Sequence, residues 1–229
     1  MTKKELKRAF LATVPVLSGY VVIGIGFGMV LQAKGYGVWW AVAMSGLIYA
    51  GAMQYVAIDL ITAGASLITV ALTALLVNAR HLFYGISMVD RYKCLGKMKI
   101  YDIFSLTDET YSLVCGELPE DEGERRRYIT AVSVFDQAYW IAGSVLGSLA
   151  GKLVPFSVEG IEFALTALFV TVFTEQWLTA KDHVPAIVGF GSTLICLLVF
   201  GAEKFLIPAM AVITLALTLL RGRLEAKDV

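Results

Sequence analysis

FLATVPVLSGYVVIGIGFGMVL, residues 10–31, is a run of 22 residues without a charge. About 20 apolar residues, each rising about 1.5 Å in a helix, cover the hydrocarbon core of a bilayer. The run is therefore long enough to span. Its basic lead, Lys3, Lys4, Lys7 and Arg8, resembles the start of a signal peptide. The apolar stretch is long for that role and ends without a small-residue cleavage site, so it is expected to be a retained first span.

Composition extends this reading to the whole chain. Of 229 residues, 58% are hydrophobic and 17% charged, and the mean hydropathy is +0.73. Soluble domains run at roughly 45–50% apolar and about 25% charged, so a soluble globular enzyme is not expected. Lys plus Arg (19) balances Asp plus Glu (19), leaving no basic field to attract nucleic acid. Cys94, Cys115 and Cys196 are odd in number and far apart, and only His81 and His183 could join them. Neither a disulfide framework nor a metal site is indicated, and no cofactor is expected.

The whole chain, 1–229, is expected to form a single polytopic, all-α integral membrane domain of about seven helices. The expected spans lie near 10–31, 35–58, 60–89, 128–151, 160–178, 184–202 and 205–220, with an amphipathic or half-span segment at 101–118. The stretch 60–89 is expected to break at 78–81, because Asn78-Ala79-Arg80-His81 is a polar cluster that a plain span would avoid. Irregular backbone at membrane depth is tolerated where it is buried in protein or lines a wet cavity.

The Lys and Arg in short loops set orientation. With Arg80 set aside, seven plain crossings and an outside N-terminus put twelve cations inside and six outside. If the stretch around Arg80 enters and returns, fifteen fall inside, leaving only Lys34, Lys152 and Lys204 outside. The second arrangement is favoured, and both give a cytoplasmic C-terminus. An internal repeat is also visible: Ala71-Leu72-Thr73-Ala74-Leu75-Leu76-Val77 recurs 93 residues later as Ala164-Leu165-Thr166-Ala167-Leu168-Phe169-Val170. Chance similarity between apolar helices and a true, inverted duplication of the transporter kind remain open alternatives at this point.

Several residues could carry chemistry. Gly24 and Gly28, and Gly143, Gly147 and Gly151, have the small-residue spacing of close helix packing; local unwinding near a substrate is the alternative. Arg80 is the most informative residue, because a guanidinium at a helix centre costs about 2.5–3.5 kcal/mol on insertion scales and needs a partner or a wet cavity. A structural pairing with Asp136 or Glu162 would also satisfy it. His81 is either a proton carrier, a common role of the imidazole, or simply a hydrogen-bonding interfacial residue. Asp108 and Glu109 stand in a moderately apolar stretch and, as neighbours on a helix, point about 100° apart. Gln54, among Tyr49, Gly51 and Tyr55, either joins helices or contacts solute. Enzyme signatures are missing: Tyr101-Asp102 has no GxGD partner for an aspartyl intramembrane protease, and no G-x-S-x-G turn exists.

In order and spacing, these motifs resemble the AzlC family, the large subunits of bacterial branched-chain amino acid exporters. The matching features are Pro15, Gly19 and the glycines at 24–28; Tyr49-Ala50-Gly51-Ala52-Met53-Gln54-Tyr55; Asn78-Ala79-Arg80-His81 with Tyr84-Gly85; Leu106-Thr107-Asp108-Glu109; and Glu162-Phe163-Ala164-Leu165-Thr166-Ala167-Leu168-Phe169. Two positions depart from the usual pattern, Ala79 for leucine and Tyr55 for phenylalanine, and neither removes a polar group. The resemblance implies a non-enzymatic permease of the bacterial cytoplasmic (inner) membrane. It would export valine, leucine or isoleucine with the proton gradient, together with a small hydrophobic subunit of the AzlD type.

A zwitterionic substrate needs a cation or helix N-terminus for its carboxylate, an acceptor for its ammonium and an apolar pocket. The candidates for substrate binding or proton coupling are Gln54, Tyr55, Asn78, Arg80, His81, Tyr84, Asp108, Glu109 and Glu162. The rival expectations are an exporter or importer of another small amphipathic solute and a non-transporting membrane scaffold in which the charges only lock helices.

Overall fold

The structure, a computed structural model, describes residues 3–116, 118–153, 170, 173–174, 177–178, 180, 182–201 and 205–225. Side chains are described at these positions except 80, 82, 83, 206, 207, 210 and 221–225. The elements are helical among the described residues, and they fall into two compact units, Met1–Thr166 and Ala167–Val229.

In the first unit, α1 (Lys3–Ala33) and α8 (Glu122–Leu153) are both long and apolar enough to cross a bilayer. Each is about 45 Å long at 1.5 Å per residue. They pack against each other along their length. Contacts climb both helices in the same sense, from Glu5 with Arg127 through Tyr20 with Trp140 to Gln32 with Ser148. The pair is therefore parallel, with Lys3, Lys4, Lys7 and Arg8 at the same end as Arg125, Arg126 and Arg127.

Glycine makes the approach close enough. A Cβ on Gly24 would stand 3.1 Å from Ser144 N, and one on Gly143 would stand 2.8 Å from the Val21 carbonyl oxygen. Gly28 and Gly147 are tighter still, against the backbones of Ser144 and Ile25. The glycine spacing thus serves helix packing.

Between the long helices lie α2 (Val38–Leu47), α3 (Gly51–Thr62), α4 (Leu67–Val77), α5 (Arg80–Met88), a 3-10 segment (Arg91–Met98), α6 (Lys99–Phe104) and α7 (Asp108–Val114). The stretch 35–58, expected as one span, is corrected to two short helices broken at 48–50. Tyr49 adopts φ 42° there, a left-handed conformation unfavourable for a bulky side chain, and its ring is buried.

The stretch 60–89 starts in the end of α3 and breaks twice. One break is the turn at 63–66, where Gly64 takes φ 62° and Ser66 Oγ caps α4 by accepting from Thr69 N at 3.1 Å. The other is at Asn78 and Ala79, between α4 and α5. Segment 101–118 is also divided, at 105–107 between α6 and α7.

The core of this unit has two apolar layers. One gathers Tyr20, Phe27, Leu31, Met53, Ile58 and Trp140; the other gathers Ala9, Tyr92, Leu95, Val114, Ile129 and Val132. Ser133 and Asp136 lie between these layers on α8, and both are fully buried. By contrast α4 buries no residue, and Leu67 is 87% exposed.

The second unit contains α9 (Val184–Phe200) and α10 (Leu206–Glu225) packed on each other. Val184 N, at the start of α9, donates to Asp182 Oδ1 at 2.8 Å. Ile187, Phe190, Leu198, Leu215 and Leu219 are all more than half exposed. Apolar surface on this scale suits a lipid or protein surrounding rather than water. The expected span 160–178 lies mostly outside the described residues, so two helices of spanning length and several shorter apolar ones are what the described chain contains.

Candidate functional site

The site begins with the break before α7. Ser105 Oγ donates back to the Tyr101 carbonyl at 2.9 Å as α6 ends. Thr107 is then extended, at φ −99° and ψ 178°, and its Oγ1 caps α7 by accepting from Thr110 N at 3.3 Å. Asp108 and Glu109 occupy the first turn, where the helix dipole favours negative charge.

Glu109 Oε2 accepts from the Tyr20 hydroxyl of α1 at 2.6 Å. The same hydroxyl lies 2.7 Å from Thr107 Oγ1. Thr107 donates to Thr110 Oγ1 at 3.2 Å, and Thr110 donates to Asp136 Oδ2 of α8 at 2.8 Å. Two carboxylates, from α7 and α8, are thus joined by three hydroxyls in the layer between the apolar clusters. Tyr20, Thr107, Thr110 and Asp136 are all buried, and so is the left-handed Tyr49 at the α2–α3 break, near enough to Asp136 and Glu109 to interact with their charges.

A second face of α7 meets α5. Tyr111 stacks on Tyr84 with ring centroids 4.6 Å apart, and Tyr84 makes an edge contact with His81 at 5.8 Å. The His81 Nδ1 is 3.1 Å from the Asn78 carbonyl, across the α4–α5 break. Arg80 is the first residue of α5; its side chain lies outside what the structure describes, as does the whole of Glu162.

Gln54 and Tyr55 stand elsewhere, on α3. Gln54 is fully buried: its Oε1 accepts from Trp140 Nε1 at 2.8 Å and its Nε2 donates to Ser45 Oγ at 3.3 Å, which in turn donates to Ser144 Oγ at 2.8 Å. These bonds tie both halves of the broken 38–62 segment to α8. Tyr55 donates to the Ile23 carbonyl at 2.9 Å and packs its ring edge-on against Phe27. Asn78, His81, Tyr84, Asp108 and Glu109 are therefore brought around α5 and α7, while Gln54 and Tyr55 lie in the helix-packing region.

Sequence reasoning missed Tyr20, Thr110 and Trp140, and considered Asp136 only as a structural partner for arginine. A charge inside an otherwise apolar span was the available signal for Asp136; hydroxyls in a span give none.

Outside the spans, Asp102 sits on the six-residue α6, close to the basic end of the α1–α8 pair. It is fully buried, and its Oδ2 accepts from Thr130 Oγ1 at 2.9 Å. Burial pushes its carboxyl up to about 6, against the lowering effect of Thr130 and Ser133. Among the described residues no three His, Cys, Asp or Glu side chains come together as a metal site.

Comparison with known proteins places this arrangement in a family. The family model described as AzlC protein matches residues 15–154, the region that holds α1 to α8. The branched-chain amino acid transport protein AzlC of Bacillus subtilis is 37% identical over 223 residues, covering 97% of this chain and 88% of that protein. A membrane protein of Helicobacter pylori is 41% identical over 222 residues, covering 97% of each chain. The inner membrane protein YgaZ of Escherichia coli is 27% identical over 164 residues, covering 70% of this chain and 67% of that one. No solved structure matches the chain. Relatives that align end to end at this identity, together with the family match across the buried carboxylate layer, make the chain a membrane protein of the AzlC family.

Proposed function

We propose that the chain is a permease that exports branched-chain amino acids across the bacterial cytoplasmic membrane, coupled to protons, as the large subunit of a pair with a small AzlD-type membrane protein. The observation that carries this reading is a buried polar layer beside broken helices: the α6–α7 and α2–α3 breaks supply Thr107 and Tyr49 to it, and the α4–α5 break is linked to α7 through His81, Tyr84 and Tyr111. Discontinuous helices around a mid-membrane polar site are the architecture by which transporters bind solute and coupling ion. The transport name of the Bacillus subtilis relative supports the substrate class.

In this reading Arg80, at the start of α5, and the helix end it opens take the substrate carboxylate. Asp108 or Glu109 accepts the ammonium or the coupling proton. Tyr84 and Tyr111 offer an apolar wall with polar tips, beside His81 and Asn78. Glu162 remains a further coupling candidate, and Gln54 and Tyr55 hold α3 against α8 and α1. The N-termini of α1 and α8 and the C-terminus face the cytoplasm, in keeping with the parallel pair and its shared basic end.

Inverted, energised vesicles expressing this chain should accumulate labelled valine only with the small subunit present and the proton gradient intact. Accumulation indifferent to the gradient would overturn proton coupling, and none from a verified complex would overturn the substrate. Arg80→Lys should lose most uptake, because the planar fork that binds a carboxylate through two bonds is absent from lysine.

A further inference from the structure

The file Glu109 Oε2, Tyr20 OH, Thr107 Oγ1, Thr110 Oγ1, Asp136 Oδ2 contains four oxygen–oxygen contacts, of 2.6, 2.7, 3.2 and 2.8 Å. Each contact needs a hydrogen, and three hydroxyls carry three. When both carboxylates are ionised, Tyr20 donates to Glu109, Thr107 to Thr110 and Thr110 to Asp136. The Tyr20–Thr107 contact, at 2.7 Å, then has no hydrogen, and turning Thr107 towards Tyr20 only moves the gap to the Thr107–Thr110 contact at 3.2 Å.

One added proton removes the defect. On Asp136 it lets Asp136 donate to Thr110, Thr110 to Thr107, Thr107 to Tyr20 and Tyr20 to Glu109. On Glu109 it reverses every donor and completes the file equally well. A second observation is independent of this count: Asp136 is 0% exposed and its Oδ1 has no hydrogen-bond partner among the described residues. A bare buried oxygen is far costlier on a carboxylate than on a neutral acid.

We propose that this file is a proton site, holding one proton shared between Asp136 and Glu109 and relayed between them by the hydroxyls of Tyr20, Thr107 and Thr110. Transfer breaks the O–H bond on Asp136 and makes one on Thr110; Thr110 passes its own hydrogen to Thr107, Thr107 to Tyr20 and Tyr20 to Glu109. The net charge of the file stays the same throughout. Tyr49 from the α2–α3 break, Tyr101 from α6 and Tyr128 on α8 are near enough to Asp136 to interact with its charge. Asp102 is next to Tyr101 on α6, Asp108 is next to Glu109, and the Arg8 guanidinium sits over the Tyr128 ring. As the site of the coupling proton, the file rests on the transport reading above; as a proton site it does not, and its test reads occupancy alone.

Infrared spectra of the purified chain with its small subunit at neutral pH should show the carbonyl stretch of a protonated carboxylic acid. That band should shift on labelling aspartate with carbon-13, persist in Asp102→Asn and vanish in Asp136→Asn. Counting hydrogens makes a sharper demand. Tyr20→Phe leaves two hydroxyls for two contacts to an ionised Asp136, and Glu109→Gln supplies an amide hydrogen at the far end, so both should lose the band although Asp136 remains. A band that survives both variants would mean that burial alone protonates Asp136, and overturns the shared file. Absence of an aspartate-labelled band from the unsubstituted protein overturns it without any variant. Valine transport without the band, or the band without valine transport, separates failure of this proposal from failure of the substrate reading.

Discussion

Along the α1–α8 pair, residues 24–28 against 143–148 and residues 13–20 against 133–140 are joined by opposite means. The first region is a seam of glycines in which backbone meets backbone, with no room for a methyl group at Gly28 or Gly147. The second is held by side chains: Thr13 with Tyr139 at 3.0 Å, Tyr20 with Trp140, and the hydroxyl file ending on Asp136. A backbone seam has one geometry. A chain of hydroxyls has two polarities of equal geometry, so the same helix pair contains a rigid part and, two turns away, a part that can switch without moving its backbone.

Substitutions can break this contrast in order of size. Gly147→Ala should be the most damaging, lowering folded stability by about 3 kcal/mol, at the upper end of overpacking penalties, because its Cβ meets the Ile25 backbone, which cannot rotate away. Gly19→Ala, on the same pair but with nothing within 4 Å, should be neutral or stabilising by up to about 1 kcal/mol through helix propensity. Thermal melting in detergent that ranks the two equally would show that the seam does not hold the pair.

Gln54→Leu should come next, at about 1–3 kcal/mol, since it strands the Trp140 indole N–H in the core. A melting temperature unchanged by Gln54→Leu would mean that the broken 38–62 segment is secured by apolar packing alone.

The third test concerns pH. Asp102 has a folded-state value of about 6 against 3.8 ordinarily. A raised value on a carboxyl means that the contribution to stability is full below pH 3.8 and is lost as pH rises through about 6. The unsubstituted protein should therefore melt progressively lower between pH 4 and pH 7, and Asp102→Asn should flatten that slope. An identical slope in both would show that Asp102 is ionised without penalty in the fold. The smallest effect should come from Glu124→Gln, which removes the charge from the exposed Arg8 ion pair at the water-facing end of the seam; only a melting shift comparable to that of Gln54→Leu would contradict the view that exposed pairs contribute little.

Residues far apart in the chain explain what sequence reasoning did and did not reach. The glycines at 24, 28, 143 and 147 were legible as packing positions because their spacing matches the helix period. Which face met which was not, and the glycine stripe carries no direction, since small residues fit parallel and antiparallel partners alike; only the favoured count of Lys and Arg ran 10–31 and 128–151 the same way. The break at Asn78 and Ala79 was legible because polar residues interrupt an apolar run. The break at Tyr49 was hidden, because Ile48-Tyr49-Ala50 is as apolar as the span around it, and it is held by tertiary bonds among Gln54, Ser45 and Trp140 and from Gln137 to the Gly46 carbonyl.

The sequence by itself determined that the chain is an all-helical membrane protein and to which family it belongs, because both follow from composition, period and motif order, which are local properties. Only the tertiary structure decided that Glu109 and Asp136 share one file of hydroxyls. Tyr20, Thr107 and Asp136 are separated by 87 and 29 positions along the chain, and a hydrogen bond depends on distances in space that no spacing in sequence encodes.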